Sequence, residues 1–198
     1  MAADATTRAE RALLGLLDDA FEDQRGLSPR LLASVRAWQR TDRTYELVQR
    51  MARRAGPDDL TPAQTRIAST MWVHLDTAIA SGSVPFTLVV YRGVRDLRRT
   101  FGADDPQAVV GRRIRLRGYT ATTVSQSVAV EEFAGSRGAL LEVVVPAGTP
   151  ALWVAAIGDP RLRRQGELLL KDGVRLHAYS LASCHSVPML SGRVTIGD

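Results

Sequence analysis

The chain has 198 residues and a net charge of +5, and this length suits one domain with a buried core but is marginal for two. Its 45% apolar and 24% charged content excludes a largely disordered chain, and no apolar run approaches the roughly 20 residues that cross a bilayer. A single cysteine, Cys184, excludes an internal disulfide, and three scattered histidines give no zinc-ligand spacing, so we expect no metal.

Residues 1–80 predict helices. Thr7 and Glu10 form a capping-box pattern ahead of an apolar helix face, which predicts the start of a first helix. Ser28-Pro29 predicts the start of a second helix, with proline at its first position, and a third is predicted around 45–51. The residues predicted to face the core from these helices are Leu13, Leu16, Leu17, Ala20, Phe21, Leu32, Val35, Trp38, Tyr45, Val48 and Met51.

The clearest helix start in the chain is Thr61-Pro62-Ala63-Gln64. It combines a capping threonine, a proline at the first helical position and a glutamine at the third. The helix that follows is predicted to face the core with residues spaced by four, namely Ile67, Met71, Leu75 and Ile79.

After residue 83 the pattern changes to short apolar runs between glycine and proline turns, which predicts strands. The predicted strands are 87–93, 118–123, 139–145, 151–156, 167–170 and 174–181. One short helix is predicted over 127–134, with Gly135 as its C-terminal cap. Helices followed by strands predict an α+β fold with a mostly antiparallel sheet. Because no linker or repeat interrupts the chain, we expect one domain over 1–198, helical over 1–80 and β-rich over 84–198.

The N-terminal segment MAADATTRAERALLGLLDDAFEDQ does not predict a secretory signal. It has no basic start, and acidic residues interrupt its apolar stretch. We therefore expect a cytoplasmic protein, or one that is delivered into a target cell by a leaderless route.

The positive charge is concentrated in residues 92–117, which hold eight arginines against three aspartates. Guanidinium groups bind phosphate in a planar, two-pronged way, so one interpretation is phosphate recognition. The alternative is an arginine-rich composition with most of these side chains on a solvated face. For the segment as a whole the second interpretation is the simpler one.

Two polar stretches of the β-rich part carry candidate binding groups. Tyr91-Arg92-Gly93 puts a permanent cation beside a glycine, where a phosphate could approach side chain and backbone together, although a surface ion pair is the simpler alternative. Thr120-Ala121-Thr122-Thr123 offers hydroxyls that could orient a carboxylate on a neighbouring strand. Threonine is also common in strands merely because it packs well there.

A third stretch, Gln165-Gly166-Glu167, places a carboxylate where an arginine-rich loop enters an apolar strand. A glutamate there costs solvation free energy unless a partner or a function holds it. In an extended chain Gln165 and Glu167 lie on the same side, so that one could hold a reacting centre while the other meets the attacking group. An ordinary glutamate at a solvated loop end is the alternative.

In this order, the three stretches resemble those of the mono-ADP-ribosyltransferases of the arginine–serine–glutamate class, the bacterial ADP-ribosylating exoenzyme toxins. That family has an aromatic-Arg-Gly strand that binds NAD phosphate, a Ser-Thr-Ser strand that supports the site, and a Glu-x-Glu or Gln-x-Glu motif at the end of a target-recognition loop. The similarity covers about residues 60–183, and the last motif has the Gln-x-Glu form here.

The resemblance implies an enzyme that uses NAD⁺ as substrate, moves ADP-ribose to a macromolecular acceptor and releases nicotinamide. Glu167 would be the catalytic carboxylate, Gln165 would contact the acceptor, and Thr122 or a neighbouring hydroxyl would orient Glu167. Arg92 would clamp the NAD⁺ pyrophosphate. The full set of NAD⁺-binding residues that the resemblance implies is Tyr91, Arg92, Gly93, Thr120, Thr122 and Thr123.

The sequence departs from the family pattern in two places. The first serine of Ser-Thr-Ser, which hydrogen-bonds the catalytic glutamate in the family, aligns with Ala121, so Thr120 or Thr123 would supply the hydroxyl or the support would be weaker. The target loop also lacks the aromatic residue often found before the glutamine, where Leu162 stands nearest.

The resemblance favours a protein side chain other than arginine as the acceptor, because a neutral amide at Gln165 goes with asparagine-like side chains or with guanine bases. ADP-ribosylation of a nucleic-acid base is the alternative, and the arginines of 92–117 keep it open. A pure NAD hydrolase, an inactive relative that keeps the fold, and a non-enzymatic nucleic-acid-binding module also stay open. A neutralising immunity or antitoxin protein is a further candidate partner, and no membrane is expected.

Overall fold

Four helices form the N-terminal part of the computed structural model, which describes residues 2–40, 44–53, 60–134, 138–184 and 187–195. They are α1 (Ala2–Ala20), α2 (Pro29–Trp38), α3 (Thr44–Ala52) and α4 (Pro62–Ala80), and a 3₁₀ turn, Glu22–Gly26, follows α1. No helix in this described part is both long and apolar enough to cross a membrane.

The start of α4 is the one that the sequence predicts. The Thr61 hydroxyl accepts a hydrogen bond from the Gln64 backbone N–H, and the Gln64 side chain accepts one from the Thr61 N–H. Pro62 takes the first helical position, where no intrahelical donor is lost. Helix α2 likewise begins with Pro29 after Ser28, as predicted.

Three details of the helix prediction are wrong. Helix α1 begins at Ala2 and not at Thr7, because the alanine-rich start is a good helix former that extends the helix. Ile67 is 48% exposed, since a spacing of four drifts about 40° per step from the helical repeat of 3.6 residues. Leu16 and Ala20 are also exposed, whereas Leu17 on the same helix is fully buried.

Short helical segments and strands alternate in the rest of the chain. The helical segments are α5 (Leu97–Phe101), α6 (Gln126–Val128) with a π-helical continuation (Ala129–Phe133), α7 (Val154–Ile157) and the 3₁₀ turns Pro106–Val109 and Pro160–Gln165. The strands are β1 (Leu88–Val94), β2 (Arg113–Arg115), β3 (Thr120–Thr123), β4 (Ala139–Val145), β5 (Ala151–Trp153), β6 (Glu167–Leu170), β7 (Arg175–Cys184) and β8 (Val187–Thr195).

The strands form one mixed sheet in the order β2-β7-β8-β4-β1-β3-β6-β5. All neighbouring pairs are antiparallel except β4 and β8, which run parallel. The predicted α+β class with a mostly antiparallel sheet is therefore confirmed.

The strand prediction misses β2 and β8 and extends β5 too far. Strand β8 contains Pro188 and Gly192, which are ordinarily turn residues. Gly192 is required there because a Cβ would lie 2.9 Å from the His177 carbonyl oxygen on β7. The predicted strand 151–156 turns helical at Val154, because apolar runs of this length do not distinguish the two structures. Gly135, the predicted cap, lies outside the described residues.

The sheet buries apolar side chains on both faces. On β6, Leu168 and Leu170 belong to one core, which also receives Leu17 and Phe21 from the α1 side. Leu169 between them belongs to a second core, under α2, α3 and α4. Strand β6 thus has apolar cover on both sides, and only its first residue, Glu167, is ionisable.

Candidate active site

Glu167 is the first residue of β6 and lies opposite Thr123 of β3. Its carboxylate accepts two hydrogen bonds from the end of α2: Trp38 Nε1 donates to Oε1 at 2.9 Å, and Gln39 Nε2 donates to Oε2 at 2.8 Å. Each carboxylate oxygen therefore has a fixed donor and keeps lone pairs for a further hydrogen bond.

Burial raises the pKa of Glu167, because the charged carboxylate loses water. The hydrogen bonds from Trp38 and Gln39 and the positive charge of Arg92 act in the opposite direction and favour the ionised form. The site thus opposes desolvation with two neutral donors and one cation, an arrangement typical of functional carboxylates.

Trp38 and Gln39 are the site residues that sequence reasoning missed. The sequence predicts Trp38 only as a core residue of α2, and it does make edge contacts with the rings of Tyr45 and Tyr119, with centroids 5.9 and 5.8 Å away. Gln39 is the C-terminal cap of the helix. Both lie far from Glu167 along the chain, so no local pattern could have linked them.

Among the described residues, the hydrogen bonds of Thr122 and Thr123 go to backbone carbonyls and not to the carboxylate, so the orientation of Glu167 by a threonine hydroxyl stays a prediction. Thr122 Oγ1 donates to the Leu168 carbonyl at 2.8 Å, and Thr123 Oγ1 donates to the Gln165 carbonyl at 2.5 Å. Thr120 is buried opposite Leu170, at the other end of β6 from Glu167. These hydroxyls hold the backbone of β6 and of the preceding loop, whereas α2 supplies the hydrogen bonds to the carboxylate.

The Gln165-Gly166-Glu167 segment is not extended, so the same-side prediction is wrong. Gly166 has a φ of +53°, and a Cβ there would lie 2.8 Å from Val124 Cγ2, so both conformation and space require glycine. Gln165 ends a 3₁₀ turn, and its Nε2 donates to Glu132 Oε2 at 2.7 Å. Arg164 pairs with the other oxygen of Glu132 at 3.2 Å.

Arg92 lies near the carboxylate, and its Nη1 donates to the Ala121 carbonyl at 3.1 Å. Burial, and then the charge of Arg53, lower the pKa of Arg92 to about 10, while Glu167 opposes the shift. Burial and the charge of Arg99 also lower the pKa of Arg53. In the part of the chain that the structure describes, neither Arg53 nor Arg92 forms an ion pair with an acid.

We call Arg53, Arg92 and Arg99 the arginine cluster. It brings together the end of α3, strand β1 and helix α5. Arg92 is partly buried and Arg53 and Arg99 are exposed beside it. Mutual repulsion between neighbouring cations is unfavourable unless an anion neutralises it, so the cluster is suited to bind a phosphate-bearing ligand.

The remaining predicted residues lie around this cluster on β1. Tyr91 pairs with Thr123 on one side and with Glu142 on the other, and burial, followed by the charge of Glu142, raises its pKa. Gly93 lies opposite Leu140 of β4. Within the described residues, no group of three or more histidine, cysteine or acidic side chains is arranged to hold a metal ion.

The fold is that of the ADP-ribosylating toxins. Plx2a, a toxin from Paenibacillus larvae, superposes with a TM-score of 0.68 at 15% identity, over 90% of this chain and 92% of its own. The C3 exoenzyme of Clostridium limosum gives 0.68 at 15% identity, over 92% and 95%. A protein from S. aureus, C3stau2, solved with NAD, gives 0.68 at 16% identity, over 94% and 96%. No curated protein matches this chain by sequence.

Residues 43–187 match the family model described as ADP-ribosyltransferase exoenzyme. Since this match covers more than half of the chain, the chain belongs to the ADP-ribosyltransferase exoenzyme family. It is thus an NAD⁺-using transferase of the bacterial toxin type.

Proposed function

We propose that this enzyme moves ADP-ribose from NAD⁺ to a protein side chain, with Glu167 as the catalytic carboxylate. The observation that carries the proposal is the pairing of a buried carboxylate, held by two donors, with a nearby arginine cluster in which Arg53 and Arg92 form no ion pair with an acid among the described residues. The first group can stabilise a cation and the second can bind a pyrophosphate. NAD⁺ presents both charges.

The reaction breaks the bond between nicotinamide and C1′ of the ribose. The bonding electron pair leaves with the nicotinamide ring, which becomes neutral, and positive charge develops on the sugar in an oxocarbenium-like state. A preorganised carboxylate stabilises this state more than the ground state, which is the condition for catalysis. The acceptor then bonds to C1′ and loses one proton, and water in its place gives free ADP-ribose.

The arginine cluster would hold the pyrophosphate, with Arg92 nearest to the reacting carbon. Support comes from the position of Arg92, whose charge favours the ionised form of Glu167. Glycine at position 93 would let the dinucleotide approach the backbone. Tyr91, Thr120, Thr122 and Thr123 would act mainly by supporting the strands on which the site is built.

We assign the motif that ends in Glu167 to the Gln-x-Glu subtype and propose an asparagine-like acceptor instead of arginine. An arginine acceptor is best paired by a second carboxylate, and Gln165 offers a neutral amide in that place. Gln165 lies on the surface turn Pro160–Gln165, where a protein partner can reach it. The second candidate is a nucleic-acid base, which the arginine-rich turn and the arginine excess of residues 92–117 favour.

NAD⁺ is an intracellular metabolite, so we propose that the enzyme acts inside a cell, either its own or one that it enters. A producing cell would then need a neutralising protein partner for its own protection.

The test combines nicotinamide release with mass spectrometry of a cell lysate incubated with isotope-labelled NAD⁺. We expect the wild type to release nicotinamide and to label a protein side chain. Label that survives protease and disappears with nuclease would establish the nucleic-acid alternative, whereas release without any label would show a hydrolase. The absence of nicotinamide release at any pH would contradict the proposal.

A further inference from the structure

The Gln39 side chain connects two parts of the active site. Its Nε2 donates to Glu167, and its Oε1 accepts a hydrogen bond from the Asp159 backbone N–H at 2.7 Å. Asp159 caps the turn Pro160–Gln165, because its Oδ1 accepts from the Arg161 N–H at 2.9 Å. A single amide thus contacts the start of the turn and the carboxylate that follows its end.

The contact leaves no room for a side chain on the residue before Asp159. A Cβ on Gly158 would lie 2.1 Å from Gln39 Oε1 and 2.8 Å from the Val154 carbonyl oxygen. Gly158 has a φ of −77°, which any residue can adopt, so the need for glycine here is steric and arises from the close approach of Gln39 and of the Val154 carbonyl.

The amide is also fixed in orientation. Since the Asp159 N–H is a donor, it requires the oxygen of Gln39, and this leaves the Gln39 nitrogen for Glu167. A displacement of the turn would withdraw or rotate the amide and so remove a donor from the carboxylate.

We propose that Gln39 is a positioning residue that couples the turn Pro160–Gln165 to Glu167, so that an acceptor docked on the turn sets the geometry of the carboxylate. The proposal rests on the proposed function, in which this turn meets the acceptor. Trp38 donates to the other carboxylate oxygen, and of the two α2-end donors it is Gln39 whose side chain also binds the backbone of the turn in the described part of the chain.

The test compares three variants in acceptor transfer, in NAD⁺ hydrolysis and in the pH profile of hydrolysis. Gln39→Met removes both polar contacts at similar size, Gln39→Glu keeps an acceptor for the Asp159 N–H but removes the donor to Glu167, and Trp38→Phe removes only the other donor. Each variant removes one hydrogen bond to the carboxylate, which should raise the pKa of Glu167. The acidic limb of the pH profile of hydrolysis should therefore move to higher pH in each.

The ratio of transfer to hydrolysis distinguishes coupling from simple support. Gln39→Met should lower this ratio by about tenfold, since a small misplacement of reacting groups has effects of this order or larger. Gln39→Glu lacks the contact to Glu167 and should lower the ratio as Gln39→Met does. Trp38→Phe leaves both Gln39 contacts in place and should lower both rates while keeping the ratio near that of the wild type. Equal ratios in all three variants would overturn the coupling, even if every pH profile shifts.

Hydrogen exchange of the Asp159 amide provides a readout that needs no activity. Exchange should accelerate in Gln39→Met and stay slow in Trp38→Phe and Gln39→Glu. Unchanged exchange in Gln39→Met would overturn the proposal. If exchange accelerates in Gln39→Met but the wild type releases no nicotinamide, the proposed function is contradicted and the structural link is retained. A Gln39→Met variant that fails to fold is replaced by Gln39→Ala under the same criteria.

Discussion

At the scale of single residues, Glu167 is a group that the fold holds at a cost. Burial raises its pKa, so the native state binds a proton more readily at this position than the unfolded chain does. Stability therefore falls as the pH rises from the ordinary glutamate pKa of about 4.3 through the higher folded pKa. Such a cost is typical of a residue that is retained for its reactivity.

The first prediction concerns Glu167→Gln. The amide has a similar shape but no charge, so we expect nicotinamide release to fall on the order of a hundredfold or more. The variant also has no ionisable group at position 167. Its unfolding free energy minus that of the wild type should therefore increase as the pH rises through the pKa of Glu167 in the folded wild type. Urea unfolding at several pH values measures the second effect. Near-normal nicotinamide release by the folded variant would remove Glu167 from the catalytic role.

The second prediction concerns Arg92→Lys, which keeps the charge. A lysine ammonium is a point charge and cannot reproduce a two-pronged phosphate contact, so we expect NAD⁺ affinity to drop about tenfold, the value of one charge-assisted hydrogen bond. Calorimetry measures the affinity. Arg113→Lys, an exposed arginine of β2, is the matched control and should bind as the wild type does. Equal affinities of the two variants would make Arg92 a structural residue only.

At the scale of elements, the turn Pro160–Gln165 is held on two sides. Arg163 pairs with Asp18 of α1, and Arg164 and Gln165 both contact Glu132 of the π-helical segment. The turn therefore has a defined conformation, although it lies on the surface. In the proposed function, a turn held in this way presents Gln165 to the acceptor at little entropic cost.

The third prediction separates transfer from hydrolysis. Gln165→Ala should abolish acceptor labelling and spare most of the slow hydrolysis of NAD⁺, because Gln165 is directed towards Glu132 and the surface and the carboxylate keeps both donors. Gln107→Ala, an exposed glutamine on another 3₁₀ turn, serves as the control for the substitution itself. If hydrolysis and labelling fall together in the Gln165 variant, the residue belongs to the NAD⁺ site.

The fourth prediction concerns Gly158→Ala at the end of α7. The added methyl group would overlap Gln39 and the Val154 carbonyl, so we expect a loss of about 1–3 kcal/mol in unfolding free energy and a lower rate of nicotinamide release. Gly15→Ala on α1, where no atom lies within 4 Å of the new Cβ, should instead be neutral or slightly stabilising. Thermal unfolding of both variants measures the change in stability. A Gly158→Ala variant that is as stable as the wild type would show that Gln39 can move aside.

At the scale of the whole molecule, the residues before the family match are part of the working structure. The match begins at residue 43, yet Trp38 and Gln39 hold the carboxylate of Glu167. Further back, the buried side chain of Gln24 contacts the edge strand β5: its Nε2 donates to the Ala151 carbonyl at 3.0 Å, and its Oε1 accepts from the Trp153 N–H at 2.9 Å. One glutamine side chain thus makes hydrogen bonds to the backbone of β5 of the kind that an additional strand would make.

The fifth prediction follows from this contact. Gln24→Ala leaves two buried backbone groups of β5 without partners, and we expect a loss of about 2–4 kcal/mol in unfolding free energy. Urea unfolding measures the loss, again with Gln107→Ala as the control. A loss below that of the control would mean that water replaces Gln24 at the edge of the sheet.

Local patterns in the sequence determined those parts of the structure that depend on neighbouring residues. The Thr61–Gln64 capping box predicted the start of α4, because both of its hydrogen bonds form within four residues. The apolar run after Glu167 predicted β6, and the contrast between that run and its first carboxylate marked the candidate site. The α+β class followed from the change in apolar periodicity near residue 83, which is again a local property.

The way in which the carboxylate is held depends on contacts between distant parts of the chain. The donors on Trp38 and Gln39 come from a helix that precedes Glu167 by more than half of the chain, and the threonines expected in that role bind backbone carbonyls instead. Strand β8 likewise depends on partners in β4 and β7, which outweigh the turn-forming tendency of its proline and glycine. Hydrogen bonds between distant segments form only where packing brings them together, and no local spacing encodes that packing.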